Sequence, residues 1–562
     1  MPVDYGHAII QSRMTKRRKS KNRRMTIFVV GGVMSGVGKG VVTSSIGALL
    51  QECGLKVTAM KIDPYINVDA GTMNPVEHGE VFVTKDGAET DQDMGNYERF
   101  LGQDLPRVNY MTTGAVYKAV IERERALGYG GKTVEAVPHI PLEIISRIRA
   151  AQESNDADIT MVEIGGTVGE YQNILFLEAA RMMRRDEPHD TLIVLVSYMP
   201  VPASLGEMKT KPTQYAIKLV NEVGLFPDLI VARSTHAIDD VRKAKLGFNC
   251  GLKGEDVIAA PDVASIYEVP SLFREQKVPE TIMKKLGIKG RCPGRSAWGD
   301  FSKRINKADK PVRIGIVGKY FSTGDFVLGD VYLCVIEALK HASWYLGAKP
   351  VVEWINSEEI EKNPKDINHI LGKLDGILIP GGFGNRGIEG KIAAIRYARE
   401  KKVPYLGLCY GMQLATVEVA RHVLGWSDAN TTEIDKQTKH PVIHLMNEQE
   451  ERMRSADYGG TMRLGEYPCV LGQGSLVSKL YGHEFVMERH RHRYEFNPAY
   501  RQDLERAGLQ CSGVSPDGNL VEIVEIKKHP FFVGTQFHPE FISKPFHPHP
   551  LFIGFVKAAL KK

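Results

Sequence analysis

No stretch of this chain approaches the run of about eighteen consecutive apolar residues needed to cross a bilayer. The longest apolar runs are short and strand-like, such as Thr191 to Ser197. A membrane-spanning protein is therefore excluded. The seven cysteines (Cys53, Cys250, Cys292, Cys334, Cys409, Cys469 and Cys511) are scattered, odd in number and never spaced C-x-x-C. That pattern argues against a disulfide framework and a structural zinc, and it predicts a reducing compartment. No repeat with a period of about 20 to 50 residues is visible, and low complexity is confined to the first two dozen residues.

Charge of one sign is also scarce once it is divided along the chain. The net charge is +6, but residues 1 to 25 hold eight Lys/Arg against Asp4 alone, a local +7 that leaves −1 for everything else. The body is neutral. The basic arm before Met25 reads as a disordered extension or as upstream of the true start, and nucleic-acid contact by it is not expected. It lacks the apolar core of a signal peptide, so secretion is not expected. With 43% hydrophobic, 25% charged and 8% aromatic residues over 562 positions, the chain is globular and long enough for two to four domains.

Short β-branched runs alternate with longer amphipathic stretches. Thr26 to Val30, Lys56 to Ile62, Asp158 to Ile164, Thr191 to Ser197 and Leu229 to Ala232 read as buried parallel strands of an α/β domain. Gly287 to Pro311 is rich in Gly, Pro, Lys and Arg without apolar periodicity and reads as a linker. A second α/β series follows from Val312 to Gly318, Gly376 to Pro380 and Val403 to Leu408. The expected division is a basic extension at 1–24, a nucleotide-binding domain at 25–287, a linker at 288–311 and a second catalytic domain at 312–562.

The first strand runs into Gly31-Gly32-Val33-Met34-Ser35-Gly36-Val37-Gly38-Lys39-Gly40 and then a helix opening near Val41. Glycines let backbone N–H groups turn around phosphate oxygens, the helix N-terminus adds its positive end, and Lys39 supplies a cation. The glycine spacing is off by one from a P-loop, and Gly40 replaces the hydroxyl residue that helps to hold Mg²⁺ there. Carboxylates must supply what is missing. Asp93, in the acidic loop from Asp86, and Glu163, at the end of its apolar strand, are the candidates. Lys209-Thr210-Lys211-Pro212-Thr213-Gln214 stands before a helical pattern, with Lys245 in a later basic segment, and suits a triphosphate tail.

The second series carries Gly407-Leu408-Cys409-Tyr410-Gly411-Met412-Gln413 between a strand and a helix. Glycines on either side allow a sharp elbow that presents the sulfur, and the helix N-terminus favours its thiolate. Thr535-Gln536-Phe537-His538-Pro539-Glu540 adds an imidazole and a carboxylate to hold its tautomer. Gly381-Gly382-Phe383-Gly384 can offer one backbone N–H to an oxyanion hole and Tyr410 a second. The run Glu488 to Glu495, rich in His and Arg, reads as a contributor to this site rather than a metal or nucleic-acid patch.

These residues resemble a class I glutamine amidotransferase, with Cys409, His538 and Glu540 matching its triad. Together with Lys61 to Asp69, His78 to Val81, Glu163 to Gly169, Lys209 to Gln214, Gly460 to Gly465 and Arg489 to Glu495, the chain from about residue 26 resembles the CTP synthase family. The resemblance implies an α/β P-loop-like amidoligase domain with a parallel sheet, joined to a class I amidotransferase domain. It implies amination of UTP to CTP by phosphorylation of the uracil 4-oxygen and displacement by ammonia from glutamine, with ATP as co-substrate and Mg²⁺. By matching positions, Gly36, Val37, Gly38, Lys39, Gly40, Val41, Lys61 and Asp93 would serve ATP. Ser35, Lys209, Thr210, Lys211, Pro212, Thr213, Gln214 and Lys245 would hold UTP or CTP. Gly382, Phe383, Tyr410, Gln413, Glu433 and Arg493 would grip glutamine, and Asp93 and Glu163 would bind the metal.

Family members are typically cytoplasmic tetramers, sometimes filaments, activated by GTP and inhibited by CTP. Where the family usually has Gly-Asp-Ile-Glu, this chain has Gly169-Glu170-Tyr171-Gln172, which leaves the strength of CTP feedback open. Two other readings share some of the evidence. One is an amidotransferase acting on a carboxylate, as in corrin amidation; the Lys209 and Lys211 cluster favours a triphosphate acceptor instead. The other is a non-catalytic nucleotide-binding filament scaffold, against which the intact Cys409, His538 and Glu540 speak.

Overall fold

The computed structural model describes residues 23–204, 206–319, 322–323, 326–327, 329–445 and 462–562. Most of the basic extension and Gly460-Thr461 of the quoted motif lie outside the described residues. The chain divides into two compact units, one comprising the described residues up to Ile66 with Met111–Ala297, the other Asn67–Tyr110 with Trp298–Lys562. The segment 67–110 thus clusters with the C-terminal part of the chain rather than with its sequence neighbours.

The first unit is built on a seven-stranded sheet ordered β3-β2-β4-β1-β5-β6-β7. Its strands are β1 (Met25–Gly32), β2 (Val57–Asp63), β3 (Tyr110–Thr112), β4 (Ile159–Ile164), β5 (Thr191–Tyr198), β6 (Leu229–Ser234) and β7 (Val257–Pro261). Every pairing from β2 to β7 is parallel. A parallel sheet covered by helices is buried on both faces, which is why these strands read as unbroken apolar runs instead of alternating ones. In β1 all eight residues are buried. The helix after it, α1 (Lys39–Glu52), buries nearly its whole length. The five strands expected from sequence, β1, β2, β4, β5 and β6, match to within two residues at each end, and the short edge strands β3 and β7 were not foreseen.

Two features of the chain differ from expectation, a disulfide in this unit and a helix at the start of the second unit's C-terminal part. Cys53, at the end of α1, forms a disulfide with Cys292, whereas cysteine spacing argued against disulfides. The partners are 239 residues apart, so no local spacing could reveal them; only the return of the chain to α1 brings them together. The segment read as a linker contains the helix α3 (Ala297–Lys307), with α2 (Lys211–Glu222) earlier in the chain. In α3, Trp298 and Phe301 are buried. Trp298 stacks on Phe100 with ring centroids 5.0 Å apart, and Phe301 meets Trp344 at 5.9 Å. Two aromatics three residues apart suffice for one turn of helical face, too little to stand out among the Gly, Pro and Lys around them.

The second unit carries a nine-stranded sheet ordered β9-β8-β10-β11-β16-β15-β14-β12-β13. Its strands are β8 (Lys310–Gly318), β9 (Ala348–Asn356), β10 (Gly376–Ile379), β11 (Tyr405–Leu408), β12 (Arg463–Leu471), β13 (Phe485–His492), β14 (Gln510–Val514), β15 (Val521–Glu525) and β16 (Phe532–Thr535). From β9 to β16 the pairs are parallel, and beyond β16 they are antiparallel. Among the helices that cover it are α4 (Ile388–Lys401) and α5 (Tyr410–His422).

Cross-linking residues so far apart in sequence removes conformational freedom from the unfolded chain, an effect worth about 2 to 5 kcal/mol. Cys53→Ser is expected to lower the thermal midpoint of the first unit, and dithiothreitol to lower that of the parent protein while leaving the variant unmoved. Equal midpoints for parent and variant under non-reducing conditions would show that the bond contributes nothing.

Candidate active site

The nucleophile elbow forms where β11 ends and α5 begins. Cys409 sits at φ 48°, ψ −94°, a region costing roughly 1 to 3 kcal/mol for a residue with a Cβ. The neighbouring chain over-determines it. The Cys409 N–H donates to the Thr535 carbonyl at 2.6 Å, and its own carbonyl accepts from Gln413 N–H at 3.2 Å. Gly411 lets the helix approach β10, since a Cβ there would lie 2.4 Å from the Ile379 carbonyl oxygen.

His538 and Glu540 follow β16 and come to the same place. His538 Nδ1 lies 2.7 Å from Glu540 Oε1, and its ring stacks on Phe541 with centroids 5.0 Å apart. Burial alone would push the imidazole down, but the Glu540 carboxylate and the Cys409 sulfur outweigh it and raise His538 to about 10. The imidazolium form of His538 is thereby favoured across neutral pH. Cys409, His538 and Glu540 line a cavity of about 310 Å³ together with Gly382, Phe383, Gln413, Glu433 and Arg493. Five of the six residues expected to grip glutamine thus meet there.

Tyr410 is the exception. Its side chain does not line the cavity; it is fully buried and its hydroxyl donates to the Gly384 carbonyl at 3.0 Å. What it can offer glutamine is its backbone N–H. The glycine loop is held from several sides. Glu433 accepts the Gly384 N–H at 2.7 Å, and Lys319 donates to the carbonyls of Phe383 and Gly384. Glu433 is itself raised by burial, against the pull of that N–H and of Lys319 and Arg493.

Sequence reasoning missed Lys391 on α4, which is 0% exposed and lies 5.3 Å from the Tyr410 ring centroid. Among the described residues its ammonium has no hydrogen-bond partner. Burial, with Lys319 adding its charge, pushes Lys391 down to about 7. The cavity is also lined by Gly71 and Glu80 from the segment 67–110, whose distance in sequence from Cys409 hid them.

The run from Glu488 to Glu495 spans the end of β13 and the start of the short strand Tyr494–Phe496, with Glu488, Arg489, His490, His492 and Glu495 buried and Arg491, Arg493 and Tyr494 half-buried at the cavity. The fully buried Arg489 pairs with buried Glu98 at 2.9 Å and with the partly exposed Asp104 at 3.1 Å. Burial pushes His492 down to about 3, with Arg463 and His538 adding to it, and His490 falls well below its ordinary value for the same first reason. Both imidazoles are neutral; His492 lines the cavity, between Arg491 and Arg493, and His490 lies in the interior.

In the first unit, the glycine loop after β1 leads into α1 with Gly38 at φ 89°, a conformation open to glycine at no steric cost. Lys39 Nζ donates to the Gly166 carbonyl at 2.9 Å. The register of β2 against β4 places Lys61 beside Glu163, and their side chains meet at 2.9 Å, with Asp63 at 3.7 Å from the same ammonium. Two buried carboxylates at the carboxyl ends of adjacent parallel strands form a hard oxygen donor set. Asp93 does not join them within this unit. It belongs to the second unit, at the start of the helix Asp93–Leu101, where its carboxylate accepts from Asn96 at 3.2 Å. Among the described residues no group of three or more His, Cys, Asp or Glu is assembled for a metal.

Of the proposed triphosphate contacts, Ser35, Lys211 and Lys245 are exposed, and Lys209 reaches Glu207 at 2.6 Å. Thr210 accepts from the Gln214 amide at 3.2 Å. Thr213 is committed to the interior, accepting from Ser197 at 2.9 Å, so its hydroxyl serves packing of α2 on β5. A cavity of about 500 Å³ in this unit is lined by Tyr65, Tyr117, Tyr171 and Gln172, among others. Gln172 donates to Glu170 at 2.9 Å.

A strand-to-helix phosphate loop in one unit and a Cys-His-Glu elbow in the other define a glutamine-dependent amidotransferase that activates its acceptor with a nucleotide. The comparisons with known proteins make this specific. Residues 25–288 match the family model "CTP synthase N-terminus", and residues 327–558 match "Glutamine amidotransferase class-I". The chain is 48% identical over 539 residues to the CTP synthase of Symbiobacterium thermophilum, covering 95% of this chain and 98% of that one. It is 50% identical over 537 residues to the CTP synthase of Carboxydothermus hydrogenoformans, again covering 95% and 98%. Among solved structures, the glutaminase domain of Trypanosoma brucei CTPS with bound acivicin is 41% identical, covering 45% of this chain and 94% of that one at a TM-score of 0.42. The chain belongs to the CTP synthase family. It is a ligase that aminates UTP with nitrogen from glutamine, using ATP. No described helix is long and apolar enough to cross a membrane.

The depressed Lys391 yields a pH test. Its folded value lies below the roughly 10.4 of an unfolded lysine. Below pH 7 both states are charged and the full burial penalty is present; between about 7 and 10.4 only the unfolded state holds the proton, so stability rises with pH and the penalty fades. Lys391→Met is therefore expected to raise the thermal midpoint at pH 6 and to raise it less at pH 9. A gain independent of pH would contradict the burial of a charged ammonium here.

Proposed function

We propose that the work divides between two catalytic centres, with residues 25–287 as the ATP- and UTP-binding synthetase domain, 288–311 as the connection and 312–562 as the glutaminase domain. Residues 1–24 are proposed to be dispensable for turnover. The observation that carries the reading is the convergence of Cys409, His538 and Glu540 on one cavity lined by Gly382, Glu433 and Arg493.

In the glutaminase centre, Cys409 attacks the side-chain amide carbon of glutamine while His538 holds and returns the proton. Glu540 keeps the imidazole oriented, and backbone N–H groups at Gly382 and Tyr410 take the developing oxyanion. His538 then protonates the departing nitrogen, ammonia leaves, and water hydrolyses the thioester to glutamate. Glu433 and Arg493, of opposite charge, suit the ammonium and carboxylate ends of glutamine.

In the synthetase centre, Gly36 to Val41 cradle ATP phosphates, and Lys39 and Lys61 neutralise the transferred phosphoryl group. Ser35, Lys209 to Gln214 and Lys245 hold UTP, with Thr213 acting through packing. Phosphorylation of the uracil 4-oxygen turns a poor leaving group into a good one, which ammonia displaces to give CTP. Glu163 and Asp93 are each proposed from the family as Mg²⁺ ligands, and Glu163, which shares the Lys61 ammonium with Asp63, is the hard oxygen donor such a cation takes; when bound, Mg²⁺ would neutralise triphosphate charge. Activation by GTP, inhibition by CTP, a homotetramer capable of filament formation and a cytoplasmic location are proposed from the family. The aromatic cavity at Tyr171 and Gln172 is the proposed place of CTP recognition.

Cys409→Ala is expected to abolish glutamine-dependent CTP formation and to leave ammonia-dependent formation within about twofold of the parent, read by the absorbance change from uracil to cytosine. Loss of both activities would refute the division. Glu163→Gln is expected to reduce CTP formation by about a hundredfold with either nitrogen source, and an undiminished rate would remove Glu163 from the site.

A further inference from the structure

Cys409 is 5% exposed and lines a cavity, and a thiolate there needs donors other than water. His538 is one. The structure holds a second: the side-chain amide of Gln536 donates from Nε2 to Cys409 Sγ at 3.5 Å, with both groups buried. Gln536 stands two residues before His538, on the turn that follows β16.

Which end of that amide faces the sulfur is settled by its neighbour. Gln413 Nε2 lies 2.8 Å from the Tyr494 carbonyl and 3.2 Å from Gln536 Oε1. A nitrogen placed between two oxygens is the donor end, so Gln536 must present its oxygen to Gln413 and its NH₂ to the sulfur. Turning Gln536 over would set NH₂ against NH₂ on one side and oxygen against a thiolate on the other. The backbone fixes the base of the side chain as well, since Gln536 N–H donates to the Glu522 carbonyl at 2.8 Å. Gln536 and Gln413 are 1% and 2% exposed, so water does not compete for these bonds.

The opposing contact sharpens the effect. In the thiol form Cys409 Sγ donates to the Arg491 carbonyl at 3.8 Å. Once the proton moves to His538, that carbonyl repels the sulfur while the Gln536 amide attracts it. Hydrogen bonds to a charged acceptor are the stronger kind.

We infer that Gln536 is a further catalytic residue of the glutaminase centre, a fixed donor that stabilises the attacking thiolate and selects the sulfur position from which it reaches glutamine. This rests on Cys409 being the nucleophile. Gln413, besides lining the cavity, acts as the positioning residue that keeps the Gln536 amide the right way round.

The test uses the full-length enzyme and iodoacetamide, whose rate of reaction follows the thiolate. Gln536→Leu removes the donor, and the near-isosteric Gln536→Glu replaces it with a repelling carboxylate while preserving shape. The half-point of the alkylation rate against pH is expected to move up by about one unit in Gln536→Leu and further in Gln536→Glu. Gln413→Leu is expected to give a smaller shift in the same direction. Glutaminase kcat is expected to fall at least tenfold with KM changed less than threefold, and ammonia-dependent CTP formation, unchanged, reports that the variants are folded. An alkylation profile coincident with the parent in Gln536→Glu, or a loss confined to KM, would overturn the inference. Mass-spectrometric mapping separates the two levels: label on a residue other than Cys409 would overturn the nucleophile itself, whereas label on Cys409 with unshifted profiles would overturn only the role of Gln536.

Discussion

The glutaminase half of this molecule depends on one strained residue. Cys409 has a Cβ and yet occupies a positive φ at the junction of β11 and α5, a conformation that persists only because packing on all sides leaves no alternative. The Thr535 carbonyl fixes its N–H, the close contact of Gly411 with the Ile379 carbonyl fixes the start of the helix, and the fully buried strands around it resist relaxation. The sulfur therefore stands clear of the sheet at the helix N-terminus. Every other group of that centre is arranged around a point that the elbow defines.

Around that point, charge is organised by burial. His538 is held charged by Glu540 and the sulfur, whereas His490 and His492, only a few residues from other charged groups, are driven neutral by burial and by Arg463. Three imidazoles in one region thus take two protonation states: the charged one is His538, within hydrogen-bond distance of Glu540 at 2.7 Å, whereas Glu522 stands 3.8 Å from His490, too far to offset its burial. The glycine loop opposite is locked by Glu433 on its N–H side and by Tyr410 and Lys319 on its carbonyl side. A preorganised loop loses no energy to rearrangement as negative charge develops on the substrate oxygen. Lys391 is the exception to this economy, a buried ammonium above the Tyr410 ring whose charge opposes its surroundings.

The synthetase half follows a different logic. There the sheet is wholly parallel where its pairing is described, and its carboxyl-terminal ends gather the glycine loop, Lys61, Asp63 and Glu163 by register alone. Side chains that are neighbours across β2 and β4 are a hundred residues apart in the chain. The pairing of Lys61 with Glu163 keeps two buried carboxylates compatible with the core, and breaking one partner would leave an uncompensated charge.

Strands β1, β2, β4, β5, β6, β8, β10 and β11, the glycine turn after β1 and the cysteine elbow were legible from sequence, because each is written in local pattern: apolar runs, glycines at fixed offsets, and functional groups beside them; the edge strands β3, β7 and β9 and the antiparallel strands from β12 onward, with β16, carried no such signal. Membership of the CTP synthase family was legible for the same reason, several such motifs standing in order. What depended on the return of the chain was not. The Cys53 and Cys292 bond joins residues 239 apart, α3 is held by two aromatics whose partners lie elsewhere, and Asp93 sits in the unit opposite to the one its number suggests. Tyr410 and Thr213 were chosen by position, but their side chains turn inward to Gly384 and Ser197. The donor to the nucleophile, Gln536, is two places from His538 in sequence, yet nothing local tells which way its amide faces. Sequence determined which groups exist and the elements that carry them; tertiary structure alone decided which way they face and with what charge, because orientation and protonation are set by neighbours that local pattern does not contain.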